Sequence, residues 1–176
     1  MNEVVLLVED NPDDEALTLR AVRKHIPHVV VVARDGVEAL DYIFCTGDYQ
    51  GRDLSYNPVL VLLDLKLPKV NGLEVLRQIK EDVRTLSIPV IIFSSSTEER
   101  DLQEAYRIGA NSYICKPVDY NRYCDSLKQV TAYWLGLNKR PPIDYHPIVD
   151  IPNSCSPSNL VDSALRYASL SEQVQL

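Results

Sequence analysis

The stretch LVLLDLKLPKVNG, Leu60–Gly72, places a carboxylate, Asp64, directly after four apolar residues. A short apolar run bounded by turn residues is the pattern of a strand buried on both faces. An unpaired buried carboxylate is costly, and a core strand gains nothing from one. Asp64 is therefore expected at the strand's end, where a reacting group can be held.

The same motif of a strand ending in chemistry recurs on either side. Val4 to Val8 is an apolar run that stops at Glu9-Asp10. Asn11-Pro12 then reads as a helix N-cap followed by proline at the first helical position, opening a helix that runs to about Ile26, before Pro27. Val29 to Ala33 is a second β-branched run. Asp35-Gly36-Val37-Glu38 has capping-box character and opens a helix with Ala39, Leu40, Ile43 and Phe44 on one face. Val59 to Leu63 is the third strand. Asn71-Gly72 starts a helix with Leu73, Leu76 and Ile79 at core spacing. Val90 to Phe93 is the fourth strand, with Ser96-Thr97-Glu98-Glu99 capping the helix after it. Ser112 to Cys115 is the fifth, and Asp119 precedes a long helix striped by Tyr120, Tyr123, Cys124, Leu127, Val130, Trp134 and Leu137.

Five strands alternating with five helices imply an α/β fold, a parallel sheet with helices on both faces. Residues 1–138 suffice for it. Residues 139–157 contain five prolines, so 139–176 reads as a Pro-rich tail, with a short helix at 159–170 suggested by Leu160, Ala164, Leu165 and Ala168. Cys45 to Asn57 is a polar insertion.

Composition narrows the classes. The chain has 176 residues, 45% hydrophobic and 24% charged, with net charge -7. A nucleic-acid backbone would be repelled overall, and no basic run is visible. No apolar run approaches the ~20 residues needed to span a bilayer. The N-terminus has an acidic flank and reads as a strand rather than an export signal. Cys45, Cys115, Cys124 and Cys155 show no CxxC spacing, which indicates neither a zinc site nor a dithiol motif. They are expected as reduced thiols in a cytoplasmic protein.

In open parallel sheets, ligands sit beyond the carboxyl ends of the strands. That rim would gather Glu9 and Asp10, Asp64, Ser94 to Ser96, and Lys116. Converging carboxylates repel one another and raise a pKa unless a cation is present. Hard oxygen ligands without a His or Cys set favour Mg²⁺. A cation, a lysine and a hydroxyl around a carboxylate nucleophile suit phosphoryl transfer, with Asp64 as acceptor.

Four segments in order, LLVEDNPDD, LLDLKLPKVNG, PVIIFSSS and GANSYICKP, resemble a response-regulator receiver domain of the CheY-like kind over about residues 3 to 137. The resemblance implies a flavodoxin-like doubly wound sheet of order 2-1-3-4-5. It implies that a sensor histidine kinase phosphorylates Asp64, that Asp10, Asp64, the Lys66 backbone carbonyl and, through water, Glu9 hold Mg²⁺, and that Lys116 contacts the phosphoryl group across a cis Lys116–Pro117 bond. Ser94 and Tyr113 would be the switch pair. Ser94 stands where the family usually has threonine, and Lys66 occupies a variable position two residues after the acceptor. The start VEDNPDDEALTLRAVRK, the insertion before the third strand and the lack of an obvious output domain resemble the small response regulators of bacterial and cyanobacterial phytochrome kinases.

Other readings compete. A phosphatase working through an aspartyl-phosphate would carry DxD, but its second acid is replaced here by Lys66. A nucleotide or flavin site would need a GxGxxG or P-loop glycine pattern, which is missing. A receiver-like module binding partners without phosphorylation is the remaining alternative. On the last helix, Tyr133 and Trp134 are candidate anchors for a homodimer, against the alternative that they are covered within the chain.

Overall fold

The computed structural model describes residues 3–53 and 56–140, all within the unit Met1–Tyr145. The expected helix at 159–170 and Cys155 lie outside the described residues.

Five strands form one parallel sheet in the order β2-β1-β3-β4-β5: β1 (Val4–Val8), β2 (Val29–Ala33), β3 (Leu60–Leu63), β4 (Val90–Ser94) and β5 (Ser112–Cys115). The helices are α1 (Pro12–Val22), α2 (Gly36–Phe44), α3 (Gly72–Glu81), α4 (Glu99–Ile108) and α5 (Tyr120–Thr131). The expected topology holds. Burial follows strand position: β3 and β4 are buried throughout and β1 nearly so, while β2 and β5, at the edges, are mostly half-buried. This is why the central runs carry no polar alternation. Helices α1 and α5 pack against each other, as do α2 with α3 and α3 with α4, giving a layer on each face.

Local chemistry sets the helix starts. Asn11 accepts from the amides of Asp13 and Asp14, Asn71 from Glu74 and Asp119 from Arg122, each satisfying amides with no partner inside the helix. At α2 the Asp35 side chain accepts from the Glu38 amide, but the Glu38 carboxylate returns to the amide of Arg34 rather than of Asp35.

Several sequence expectations shift. α1 ends at Val22, not near Ile26, because Pro27 disfavours helical backbone at Ile26 and residues 23–25 form a turn. At α4 the cap position is Glu98, whose side chain makes no capping bond; Ser96 Oγ instead donates to Asp101 at 2.6 Å. α5 continues as a π-helical turn, Ala132–Leu137, in which the Asn138 amide donates to the Tyr133 carbonyl five residues back at 2.7 Å. The wider winding breaks the 3.6-residue stripe. Trp134 stays half-buried against the chain's own core, with Tyr133 edge-on to it at 5.2 Å, while Tyr133 and Leu137 face solvent. The insertion folds onto α2, with the Arg52 guanidinium 4.2 Å over the Tyr42 ring and bonded to the Tyr42 carbonyl. Cys45, Cys115 and Cys124 are free thiols. Among the described residues no helix is long and apolar enough to cross a membrane.

Candidate functional site: three carboxylates on one lysine

The sheet's hydrogen-bond ladder runs one residue past the strands and pins the rim. The Glu9 amide donates to the Ala33 carbonyl, the Asp64 amide to Val8, and the Lys116 amide to Ser94. Three residues far apart in sequence are thus held by backbone, not by their side chains alone. Behind Asp64 the chain turns tightly. A Cβ on Gly72 would lie 2.1 Å from the Asp64 carbonyl oxygen, so only glycine lets α3 begin this close to the β3 exit.

Lys116 is the centre of the site. Its ammonium lies 2.6 Å from Glu9 Oε2, 2.6 Å from Asp64 Oδ2 and 2.8 Å from Asp14 Oδ2. Asp64 Oδ1 accepts from Ser94 Oγ at 2.6 Å and from the Lys66 amide at 3.2 Å. Both oxygens of the buried Asp64 therefore have donors, which answers how the core tolerates it.

The charges are unequal to one another. Burial pushes the Asp64 pKa up, but bonds from Lys116 and Ser94 outweigh it and hold the carboxyl below its usual value. Burial dominates at Glu9, whose pKa is raised to about 7 despite the same lysine. Burial would lower the Lys116 pKa, but Asp14, Asp64 and Glu9 hold it above the ordinary lysine value. One ammonium cannot fully neutralise three carboxylates. The surplus negative charge and all-oxygen donors fit a hard divalent cation. They do not form a ready-made cage: among the described residues no three acidic, His or Cys side chains are grouped to hold a metal. Glu9 and Asp64 instead turn toward Lys116, and Asp10 is exposed.

Tyr113, half-buried on β5, donates its hydroxyl to the Ser96 carbonyl at 3.1 Å. The Ser96 amide in turn donates to Ser94 Oγ at 3.3 Å. Tyr113 is thereby connected to Asp64 through Ser96 and Ser94. The Lys116–Pro117 bond is trans, against the expected cis form; no described peptide bond is cis. The lysine reaches Asp64 with the ordinary isomer, so the preference for trans at X–Pro bonds stands.

The structure brings Glu9, Asp64, Ser94 and Lys116 together as the sequence suggested. It adds Asp14, which the sequence reading passed over. An acid in the first turn of a helix is already explained by the dipole; the available signal was that α1 starts at the same rim where Lys116 arrives.

A sheet of this order, with an acidic pocket and a lysine at its carboxyl rim, is the architecture of a receiver. A family model of the response regulator receiver domain matches residues 5–128. The probable methanogenesis regulatory protein FilR2 of Methanothrix harundinacea is 42% identical over 139 residues, covering 78% of this chain and 87% of that protein. Response regulator Rcp1 of Synechocystis sp. is 33% identical over 134 residues, covering 76% and 89%. The crystal structure of the phosphorylated cyanobacterial phytochrome response regulator RcpA matches with a TM-score of 0.75 at 36% identity, covering 81% of this chain and 100% of that one. The Mn²⁺-bound form of Rcp1 matches with a TM-score of 0.74 at 31% identity, covering 80% and 99%.

The chain belongs to the response regulator receiver domain family. It is a two-component signalling protein, related to phytochrome response regulators, and not a conventional enzyme.

Proposed function

We propose that the chain is a phosphorylation-driven switch in which Asp64 accepts a phosphoryl group from a sensor histidine kinase. The observation that carries this reading is the buried Asp64 with Lys116 on one oxygen and Ser94 on the other. Asp64, ionised, attacks phosphorus; the P–N bond of a phosphohistidine breaks as the P–O bond forms, and the imidazole nitrogen leaves with the electron pair. Lys116 and Ser94 then donate to phosphoryl oxygens as charge moves onto them. Mg²⁺ would be held by Asp10, Asp64 and the Lys66 carbonyl, with Glu9 acting through water, and would neutralise phosphoryl charge. The added charge of an acyl phosphate draws on Ser94, and the Ser94–Ser96–Tyr113 connection carries the change to β5 and its neighbours.

The output is a changed protein contact rather than DNA reading. Exposed Tyr133 and Leu137 favour a second copy of this chain as one partner, with Trp134 as a partly covered neighbour and not the main anchor. We take residues 1–138 as the receiver and 139–176 as a tail, and place the protein in the cytoplasm. The similarity to RcpA and Rcp1 favours a phytochrome-type kinase.

The test is labelling by radioactive acetyl phosphate with and without Mg²⁺. A hydroxylamine-labile, Mg²⁺-dependent label that is lost in Asp64→Asn is expected. A label retained at full stoichiometry in that variant would remove Asp64 as the acceptor. No label on folded protein, from acetyl phosphate or a cognate kinase, would favour a phosphorylation-independent binding module. Turnover with no standing label would favour phosphatase chemistry.

A further inference from the structure

Lys116 has three N–H donors, and all three are committed: to Glu9, to Asp64 and to Asp14. A phosphoryl group on Asp64 brings additional strong acceptors to an ammonium with no free donor. One existing bond must be given up for Lys116 to reach it.

The three partners differ in what release would cost. The Glu9 side chain is 2% exposed and that of Asp64 is 6% exposed. Freeing Glu9 would leave a buried carboxylate with only the 3.3 Å bond from the Asn11 amide, which costs more than freeing an exposed one. Asp64 is the modified group itself and stays beside the lysine; its own bond can pass to one phosphoryl oxygen, but any further phosphoryl oxygen must displace Glu9 or Asp14 from the ammonium. The Asp14 side chain is 34% exposed, so water can replace the lysine there at small cost. Its backbone does not need to move, because the Asp14 amide is fixed by the Asn11 cap at 3.2 Å.

We infer that Asp14 is a positioning residue that holds Lys116 in the unmodified protein and competes with the phosphoryl group for it, so that its carboxylate lowers the affinity of the site for a phosphoryl-like anion. This rests on the reading of Asp64 as the acceptor. Asp14 acts through Lys116 rather than on the reacting atoms. It differs in this from Asp13, the preceding acid, which carries the same charge next to the same cap and makes no described contact with Lys116. Direct competition and general repulsion are therefore separable by comparing neighbours.

The experiment titrates beryllium trifluoride, a phosphoryl mimic, into the full 176-residue chain at saturating Mg²⁺. Bound fluoride is read by ¹⁹F NMR, and the Lys116 ammonium by ¹⁵N NMR of the free and bound forms. Asp14→Asn is expected to bind on the order of fivefold more tightly than wild type, the range of one partly exposed ion pair. Asp14→Glu, which restores the charge, should return most of that gain. Asp13→Asn should stay near wild type. The Lys116 ammonium signal should differ between wild type and Asp14→Asn when free and coincide when bound, because Asp14 has released it by then. A purely structural role for Asp14 has no reason to produce that convergence. Equal affinity in wild type and Asp14→Asn, an equal gain in Asp13→Asn, or ammonium signals that stay different in the bound forms would each overturn the inference while leaving Asp64 as acceptor. No binding to wild type, or undiminished binding to Asp64→Asn, would overturn the acceptor reading and this inference with it.

Discussion

Ser94 Oγ donates to Asp64 Oδ1 at 2.6 Å, from the last residue of β4 to the residue just past β3. The bond spans 30 positions in sequence and is fully buried at the serine. It does two things. It satisfies an oxygen that burial would otherwise penalise, and it leaves a hydroxyl beside the position a transferred group would occupy.

Ser94→Ala removes that donor and leaves Asp64 Oδ1 with the longer bond from the Lys66 amide. A hydrogen bond to a charged group is worth about 1.5–3 kcal/mol. The expected result is a loss of stability of about that size at neutral pH, a rise in the Asp64 pKa toward its ordinary value, and slower labelling by acetyl phosphate. Ser94→Thr keeps the hydroxyl and should label like wild type. Urea denaturation and a carboxyl ¹³C titration of Asp64 check the first two outcomes, and a labelling time course the third.

Glu9 makes stability depend on pH in a direction opposite to most carboxylates. Its pKa is raised from 4.5 to about 7 in the folded protein. Between those values the folded state keeps a proton that the unfolded chain has lost. Stability from this group is therefore full below the window and falls as pH rises through it, by a few kcal/mol. Asp64, with its pKa lowered from 3.8, contributes the other way, and only in more acidic solution. Denaturation with a chelator present should show stability declining from about pH 4.5 to about pH 7. Glu9→Gln should flatten that decline; an unchanged slope would place its origin elsewhere.

The fold was legible because the strands are short, largely apolar runs and four of the five helices open on a side chain that caps them. The rim was legible for a related reason: Glu9, Asp64, Ser94 and Lys116 all stand at or just past the end of such a run. Asp14 was not, because its partner arrives 102 positions later and its local role as a first-turn acid was already sufficient. The stripe drawn through Trp134 to Leu137 assumed a 3.6-residue period beyond Thr131, where the chain is wound more widely. Hydrophobic spacing reports which residues prefer burial, not where a helix changes its pitch.

Gly72 ties the helix start to the site. Its Cβ would meet the Asp64 carbonyl oxygen at 2.1 Å and the Leu65 Cα at 2.7 Å, both backbone atoms that cannot swing aside. Gly72→Ala should therefore shift the backbone of Asp64 itself, destabilising the protein by about 1–3 kcal/mol and depressing labelling at the same time. Gly136, with nothing within 4 Å of its would-be Cβ, is the control. Gly136→Ala should leave stability unchanged or raised by up to about 1 kcal/mol, through the unfolded state. Thermal melts and the labelling assay on both variants check the contrast.

The contact between α1 and α5 contains one buried polar link, the 2.7 Å hydrogen bond between Thr18 Oγ1 and the Tyr123 hydroxyl. Burial is the main reason the Tyr123 pKa is pushed up to about 12, so the phenol stays neutral and the bond persists across the physiological range. The Tyr123 ring also packs edge-on against Phe93 of β4 at 5.1 Å, so the same residue joins helix to sheet. Tyr123→Phe keeps the ring contact and removes only the hydroxyl, leaving Thr18 without that partner; a loss of about 1–2 kcal/mol is expected. Thr18→Val alone should cost a similar amount by orphaning the phenol. The double variant should cost clearly less than the sum, because replacing both polar partners by apolar groups leaves neither unpaired. Chemical denaturation of the four proteins closes the cycle, and strictly additive losses would show that the bond contributes nothing beyond its separate groups.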